Sequence, residues 1–519
     1  MAETEYDVVA YPGRAFPQAH PERLAVIGKL FGMSPVPVTK CRVLEIGCSE
    51  GNHLIPLAYN YPDSEFLGVD LAVTAVSVGQ KTIAELGLKN IELRAEDLLE
   101  FPASAGKFDY IVTHGIYSWV PQIVRDKIMA VCRDHLSPNG IAYISYNAMP
   151  GGHVRAIFRD MMRFHTRAVT DPAAKIAKAR ACIRFVASGM TNSDDPLSKL
   201  MRDEVDRHLL DKDEGVLYHD DLADINQPYY FHEFMSHANQ HGLNFLGEAD
   251  YFELSARNFP PETAEVLSRM QKDDPLLREQ YMDFMKCRRF RQTLLVRQDA
   301  PFSDVRVARQ IRTLAAASAI KPVSISPDLS VDVEAKFKNP KGGMITLRQP
   351  LAKAAFLHLG SAYPRAVPFA ELVSAARQIL GPIATTPADE DDLAEILHEA
   401  YSVDLIDLQS GPATFTMTPW ERPTTSAVAR LQLQTVDDDL VTNLRHAQIR
   451  VEPGLSRKLI ELLDGTRNRA DVIEALADWA IAHPPAEGEP PTRAAWQQRF
   501  AAEIDRGIAG VASMALLVN

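Results

Sequence analysis

The sequence predicts an α/β fold: a mostly parallel sheet wrapped by helices, followed by two small winged-helix-like α+β modules. Over residues 40–170, short apolar runs alternate with amphipathic helical patterns, as parallel strands joined by crossover helices require. Each run is apolar throughout, the mark of a strand covered on both faces. After about residue 300 the pattern changes to clustered helices with short strand pairs, which gives the two modules.

Taken in order, the strand runs are 42–46 (RVLEI), 66–69 (FLGV), 91–93, 110–113 (YIVT) and 141–145 (IAYIS), with helices at about 51–60, 72–86 and 121–136. A further helix starts near Gly152. Residues 229–241 read as a helix, and LNFLGEADYFEL and RQTLLVRQ (291–298) as the sixth and seventh strands of the same sheet. The first domain is therefore 1–300, with 1–38 an N-terminal flap and helix and with helical insertions at 171–228 and 255–290. Residues 301–349 read as linker and hairpin, turning at 339–343. Residues 350–422 form one module, three helices followed by strands LIDLQ and TFTMT. Residues 423–519 form the other, in which 445–519 begin with the strand-like AQIRV and two helices follow.

The chain has 519 residues, 46% hydrophobic and 24% charged, and a net charge of −13. That balance argues against affinity for nucleic acid or anionic lipid spread over the whole surface. MAETEYDVVA lacks the basic and apolar regions of a signal peptide. The apolar stretch GIAGVASMALLV is too short to span a bilayer, so no membrane insertion is expected. Five scattered cysteines, without a C-x-x-C pair, predict no disulfide framework and no metal site. A cytoplasmic location follows as an expectation.

The strongest chemical signal is VLEIGCSEGNHL, which sets Glu45, Gly47, Cys48, Ser49, Gly51 and Asn52 between the first strand and its helix. Glycines let backbone approach a ligand, and free helix-start N–H groups bind its polar atoms. This is neither the G-x-G-x-x-G dinucleotide fingerprint nor a phosphate-binding loop. An acid two residues before the first glycine suits a ligand carrying a cationic amino group. Asp70 closes FLGVD, followed by Leu71, where a carboxylate accepts both ribose hydroxyls. Glu96, Asp97 and Leu98 follow the third strand, where a carboxylate accepts an adenine amino group. Three acids in this order at strand ends point to S-adenosylmethionine, with S-adenosylhomocysteine as product. They predict a Rossmann-like, seven-stranded class I methyltransferase domain.

The stretches HPERLAVIGKLFGM, VLEIGC with LIPLAYNYP, FDYIVTHGIYSWVP, GIAYISYNAMPGG and RRFRQTLLVRQ resemble the bacterial methyltransferases that carry a methyltransferase regulatory domain. That family includes rickettsial protein-lysine methyltransferases acting on outer-membrane proteins. The resemblance covers about 1–300, and the tail more loosely through KAAFLHL and LLDGTRNR. It implies protein lysine as substrate and, in some members, a homodimer. Where the family pattern has Gly-Asn before Leu-Ile-Pro, this chain has Asn52-His53.

The acceptor is expected above the strand ends. Tyr117, Trp119 and Tyr146 are read as an aromatic rim for an amine, with His114 as a candidate base. The alternative reading has the aromatics packing beneath a lid. Tyr11, Phe16, Gln18 and His20 suit a semi-rigid flap, and Asn147 follows the fifth strand. Cys48 reads most simply as a small apolar filler. Arg155, Arg159, Arg163 and Arg167 make a basic stripe, read as solvated or paired within the chain. Eight acids in 389–407, without Lys or Arg, disfavour DNA at the third helix of the first module. The sequence thus predicts a methyltransferase with a protein substrate. A small-molecule or natural-product methyltransferase and a non-catalytic cofactor-binding regulator are the alternatives.

Overall fold

The computed structural model describes residues 4–190, 195–209, 212–302, 308–383, 385–435, 439–484 and 491–518. A seven-stranded sheet is built from β1 (Arg42–Ile46), β2 (Glu65–Asp70), β3 (Ile91–Ala95), β4 (Phe108–Thr113), β5 (Leu136–Asn147), β6 (Leu243–Glu248) and β7 (Phe290–Arg297), in the order β3-β2-β1-β4-β5-β7-β6. The first five strands are parallel. β7 runs antiparallel between β5 and β6. The strand pattern of LNFLGEADYFEL stops at Glu248, and Tyr251–Leu254 forms a 3-10 turn. The strand order reverses between β1 and β4, which opens a crevice beyond their carboxyl ends.

The covering helices are α1 (Glu5–Val8), α2 (Pro21–Leu30), α3 (Leu54–Asn60), α4 (Val73–Leu86), α5 (Gln122–His135) and α6 (Gly152–Thr166). α2 starts where His20 caps it, its Nδ1 accepting from Glu22 N–H, with Pro21 at the first position. α4 ends on Gly87 in the left-handed conformation that closes many helices. The insertion adds α7 (Pro172–Gly189), α8 (Pro196–His208) and α9 (Glu214–Val216). α10 (Phe231–Gln240), α11 (Pro261–Asp273) and α12 (Pro275–Lys286) complete this half. α6–α9 share a small core of their own around Phe158, Met162, Ile176, Ile183 and Leu217. The basic stripe of α6 fastens that cap. Arg155 pairs with Asp220 and Asp221, Arg163 with Asp224, Arg159 bonds the Ala223 carbonyl, and Arg167 bonds the Phe164 carbonyl.

Two expectations for the second half need correction. Residues 301–349 are not simply linker and hairpin. β8 (Ala315–Ala317), β9 (Lys321–Pro322), β10 (Ala335–Lys338) and β11 (Met344–Leu347) lie there, and Leu314, Ala316, Ile320, Phe337 and Leu347 are buried. The hairpin is β10–β11. β8, by contrast, is the centre of a sheet with β12 (Val367–Pro368) and β13 (Asp407–Gln409). Three alanines carry too little side chain to show as a strand pattern. TFTMT is not a strand either: Thr416 N–H bonds the Leu517 carbonyl and the Thr414 hydroxyl the Leu444 carbonyl, so it bridges to the last module.

The first module adds α13 (Pro350–Ala362), α14 (Phe369–Leu380) and α15 (Pro387–Tyr401). Its core is continuous with that under α2, running from Leu24 and Ile27 to Ala316, Phe356 and Leu397. The acids around α15 are used within the chain: Glu390 and Asp391 pair with Arg312, Glu399 with Arg257, Asp404 with Lys341 and Asp407 with Arg445. The last module holds α16 (Ala427–Thr435), β14 (Leu440–Thr442), β15 (Gln448–Arg450), α17 (Leu455–Leu462), α18 (Arg469–Ala482) and α19 (Arg493–Ser513) around its own core. Among the described residues, no helix is long and apolar enough to cross a membrane.

Candidate active site

The loop from β1 to α3 winds tightly, with positive φ at Gly47 (80°), Ser49 (48°) and Gly51 (76°). Such alternation turns successive N–H groups to one side. Asp70 at the end of β2 locks the loop: its Oδ2 accepts from Ser49 N–H at 2.8 Å and its Oδ1 from Ala72 N–H at 2.9 Å. Burial nevertheless pushes its pKa up, against those two hydrogen bonds. A Cβ on Gly79 of α4 would lie 2.4 Å from the Glu50 carbonyl oxygen, so this helix needs glycine to reach the loop. Ile116, from the loop after β4, lies over Gly47, within 2.3 Å of a would-be Cβ. Cys48 is buried, with a thiol pKa driven well up by burial, and packs against Gly68. Its side chain fills space, while its N–H donates to the Val69 carbonyl and its own carbonyl accepts from Gly51 N–H, which helps fix the loop. Asn52 bonds Glu50 and sits under Gly13 of the flap.

Glu45 is 3% exposed, and its Oε2 has no hydrogen-bond partner among the described residues. Burial and the charge of Asp70 hold its pKa well above the usual carboxylate range. Leu71, next to Asp70, leaves 46% of its surface uncovered at the crevice side of β2. After β3, Glu96 N–H bonds the Asp70 carbonyl, and Asp97 caps a short turn by accepting from Leu99 N–H at 2.9 Å. Leu98 is buried beneath that turn.

The N-terminal segment crosses this region. Asp7 of α1 accepts from Thr74 N–H at the start of α4, and Tyr6 stacks on His219 of the insertion at 4.0 Å, with Tyr11 edge-on to the same ring. Gln18 lies in the 3-10 turn Pro17–Ala19. His20 is occupied as the cap of α2. Phe16 stacks on His114 at 3.7 Å, and its N–H donates to His53 Nδ1 at 3.3 Å. A second ring reaches the same nitrogen: His446 Nε2, from the last module, lies 2.8 Å from His53 Nδ1. His53 Nδ1 already accepts from a backbone N–H, so it carries the lone pair and His446 supplies the proton. Both rings are neutral.

On the acceptor side, the structure does not form the aromatic rim read from the sequence. Tyr117 and Tyr146 are 1% and 0% exposed and pack with Phe234 of α10. Along β5, Ala142, Ile144 and Tyr146 face that core, whereas Ile141 and Tyr143 face the opposite one. Tyr146 therefore turns away from the flap, and Tyr143 takes the other side. Trp119 is half-buried, and its indole N–H finds no acceptor among the described residues. Asn147 is tied to Asn226 of the insertion and to Ser118. What does assemble around His114 is Phe16, Tyr143 and, at 6.1 Å, Phe290 at the rim. Gln292 Nε2 donates to Asp250, the Tyr143 hydroxyl donates to Gln292 Oε1, and His114 Nδ1 lies 2.8 Å from that hydroxyl. The hydroxyl proton is spent on Gln292, so His114 Nδ1–H must donate to Tyr143. Its Nε2 then carries the lone pair. Burial lowers the His114 pKa to about 4, so the ring is neutral.

Three family models match in chain order: "Methyltransferase domain" over 43–140, "Predicted methyltransferase regulatory domain" over 213–297 and "PKMT, C-terminal winged helix domain" over 421–516. The uncharacterized protein RP789 of Rickettsia prowazekii is 31% identical over 483 residues, covering 91% of this chain and 85% of the relative. PKMT2 from Rickettsia typhi superposes with a TM-score of 0.86 at 30% identity, over 98% of this chain and all of that one. The chain belongs to this family. A second structure of PKMT2, at 29% identity and the same TM-score, is in complex with AdoHcy.

This member of the family is thus an S-adenosylmethionine-dependent methyltransferase, and its crevice suits that cofactor. Glu45 holds an orphaned buried oxygen where a cationic amino group would restore its charge. Asp70 keeps acceptor capacity beyond its two backbone partners. Leu71 offers an uncovered apolar face for a purine, and Asp97 opens the turn that follows the neighbouring strand β3. Sequence reasoning missed Tyr143, Gln292, Ile116, His53 and His446. Tyr143 could have been found, since it has the opposite parity to Tyr146 on one strand. His446 could not, being 393 residues from His53.

Proposed function

We propose that this enzyme methylates lysine side chains of a protein, at the aromatic recess of Phe16, His114 and Phe290, with the buried Tyr143 holding His114 from behind. The observation that carries the reading is the hydrogen-bond relay Asp250–Gln292–Tyr143–His114, which leaves the imidazole lone pair on His114 Nε2. S-adenosylmethionine, when bound, supplies an electrophilic methyl group on a sulfonium. Glu45, Asp70, Leu71 and the Asp97–Leu98 turn are the residues proposed to hold it. A lysine arrives as a cation, with a reference pKa of about 10.4. Aromatic faces attract it without the permanent pairing a carboxylate would impose. The ammonium must first lose a proton to water, which burial and a nearby sulfonium charge would favour; His114 Nε2 then accepts an N–H of the neutral amine and so turns its lone pair toward the crevice. The low pKa of His114 lets the proton pass on to water rather than stay. Relatives named PKMT support the protein-lysine class.

The test is incubation with radiolabelled cofactor and fractionated lysate, then mass spectrometry of labelled material. Label on protein lysine is expected. Label confined to RNA, small molecules, hydroxyls or carboxylates would overturn the lysine reading and leave the methyltransferase standing. His114→Gln is expected to lower kcat by roughly 10²-fold, with little change in cofactor affinity.

A further inference from the structure

On the far face of the sheet from the flap, α5 and α10 bring three metal-ligating side chains together. Asp126 comes from the second turn of α5; His237 and His241 lie four residues apart at the end of α10, on one face. One donor atom from each lies within 4.8 Å of the others, and all three side chains are half-buried. His237 Nε2 is 2.9 Å from Asp126 Oδ1. The His241 ring stands edge-on to His237, centroids 5.0 Å apart, and makes no hydrogen bond among the described residues. A histidine–aspartate hydrogen bond accounts for two of these groups and leaves the second imidazole unexplained.

The surroundings are those of ligands held in place. His237 Nδ1 lies 2.6 Å from the Tyr117 hydroxyl, which fixes the ring with Nε2 outward. Gln122 Nε2 donates to Asp126 Oδ1 at 2.7 Å. Such partners orient histidine and carboxylate ligands in metal sites. A cavity of about 350 Å³, lined in part by Tyr117, Gln122, Glu233 and His237, adjoins the cluster and leaves room for a water ligand. Nearby Arg133 is paired with Asp134 at 2.7 Å, so its charge is offset.

We propose that Asp126, His237 and His241 bind a divalent transition metal of the zinc class. Two imidazoles and one carboxylate suit zinc and its neighbours and disfavour magnesium or calcium. A bound ion would clamp α5 to α10 across the Tyr117 loop. Coordination of this class holds its donors at about 2.0–2.2 Å from the ion.

The experiment is cobalt titration of the full chain, followed by visible absorption, with zinc as competitor and thermal melting as a second readout. One ion per chain is expected, with zinc raising the melting temperature. His241→Ala and Asp126→Asn should each weaken binding by roughly tenfold or more, while affinity for S-adenosylhomocysteine, as a check on folding, stays unchanged. Absence of binding, or binding unchanged in the His237→Ala/His241→Ala double variant, would overturn the proposal, the latter by placing the ion elsewhere.

Discussion

Asp70 shows how one carboxylate serves both loop and ligand. Each of its oxygens accepts a backbone N–H, from Ser49 and from Ala72, inside a buried site. Asp70→Asn keeps the shape but turns an NH₂ group toward one of those donors. An unsatisfied buried donor costs about 1–3 kcal/mol. Part of that cost falls on the loop and part on the cofactor, whose ribose loses a charged acceptor. The expected outcome is affinity for S-adenosylhomocysteine reduced roughly ten- to hundredfold, read by calorimetry. Equal affinity in the variant would show that this carboxylate does not touch the ligand. Glu45 behaves differently: its Oε2 has no partner among the described residues, and burial raises its pKa, so a cation arriving there would favour the charged carboxylate.

At the level of elements, α4 carries a glycine where helix propensity argues against one. Replacing an interior glycine by alanine ordinarily stabilises a helix by about 1 kcal/mol. At Gly79 the new Cβ would meet the Glu50 carbonyl at 2.4 Å, and that atom belongs to backbone in the cofactor loop. The clash wins, so Gly79→Ala is expected to lower the melting temperature and cofactor affinity together. A variant more stable than the parent would show the loop yields freely. The same strand-and-helix level explains what could be read beforehand. β1–β5 and their helices were legible because each buried run is flanked by polar, helix-period sequence. The faces of β5 were not legible, because both are covered and alternation then carries no polar signal. Hence the sequence alone places Tyr146 at the crevice and does not single out Tyr143. The small strand β8, three alanines long, gave no pattern at all, and with it went the role of 301–349 in a folded module.

Across the whole molecule, the last module is fastened to the cofactor loop by a neutral pair of buried imidazoles. His53 is 2% exposed and His446 0%, and the backbone of His446 is left-handed, with φ of 60°. Burial, reinforced by the neighbouring histidines, lowers the pKa of His53 to about 3 and holds that of His446 well below its ordinary value. Unfolded, each ring titrates near the reference of about 6.5. Between these limits the unfolded chain binds a proton that the folded chain refuses. Stability is therefore complete above pH 6.5 and falls as pH drops below it, by up to about 1.4 kcal/mol per pH unit for each ring. A proton on His53 Nδ1 would break its bonds to both Phe16 and His446, loosening flap and module together. His446→Asn tolerates the left-handed backbone while removing one titrating group. It is expected to be less stable than the parent at pH 7.5, with a shallower fall in melting temperature between pH 7 and 5. The difference between the two proteins isolates this ring from the carboxylates that titrate in the same range. Parallel pH profiles for parent and variant would show that the histidine pair does not control how the winged-helix module docks.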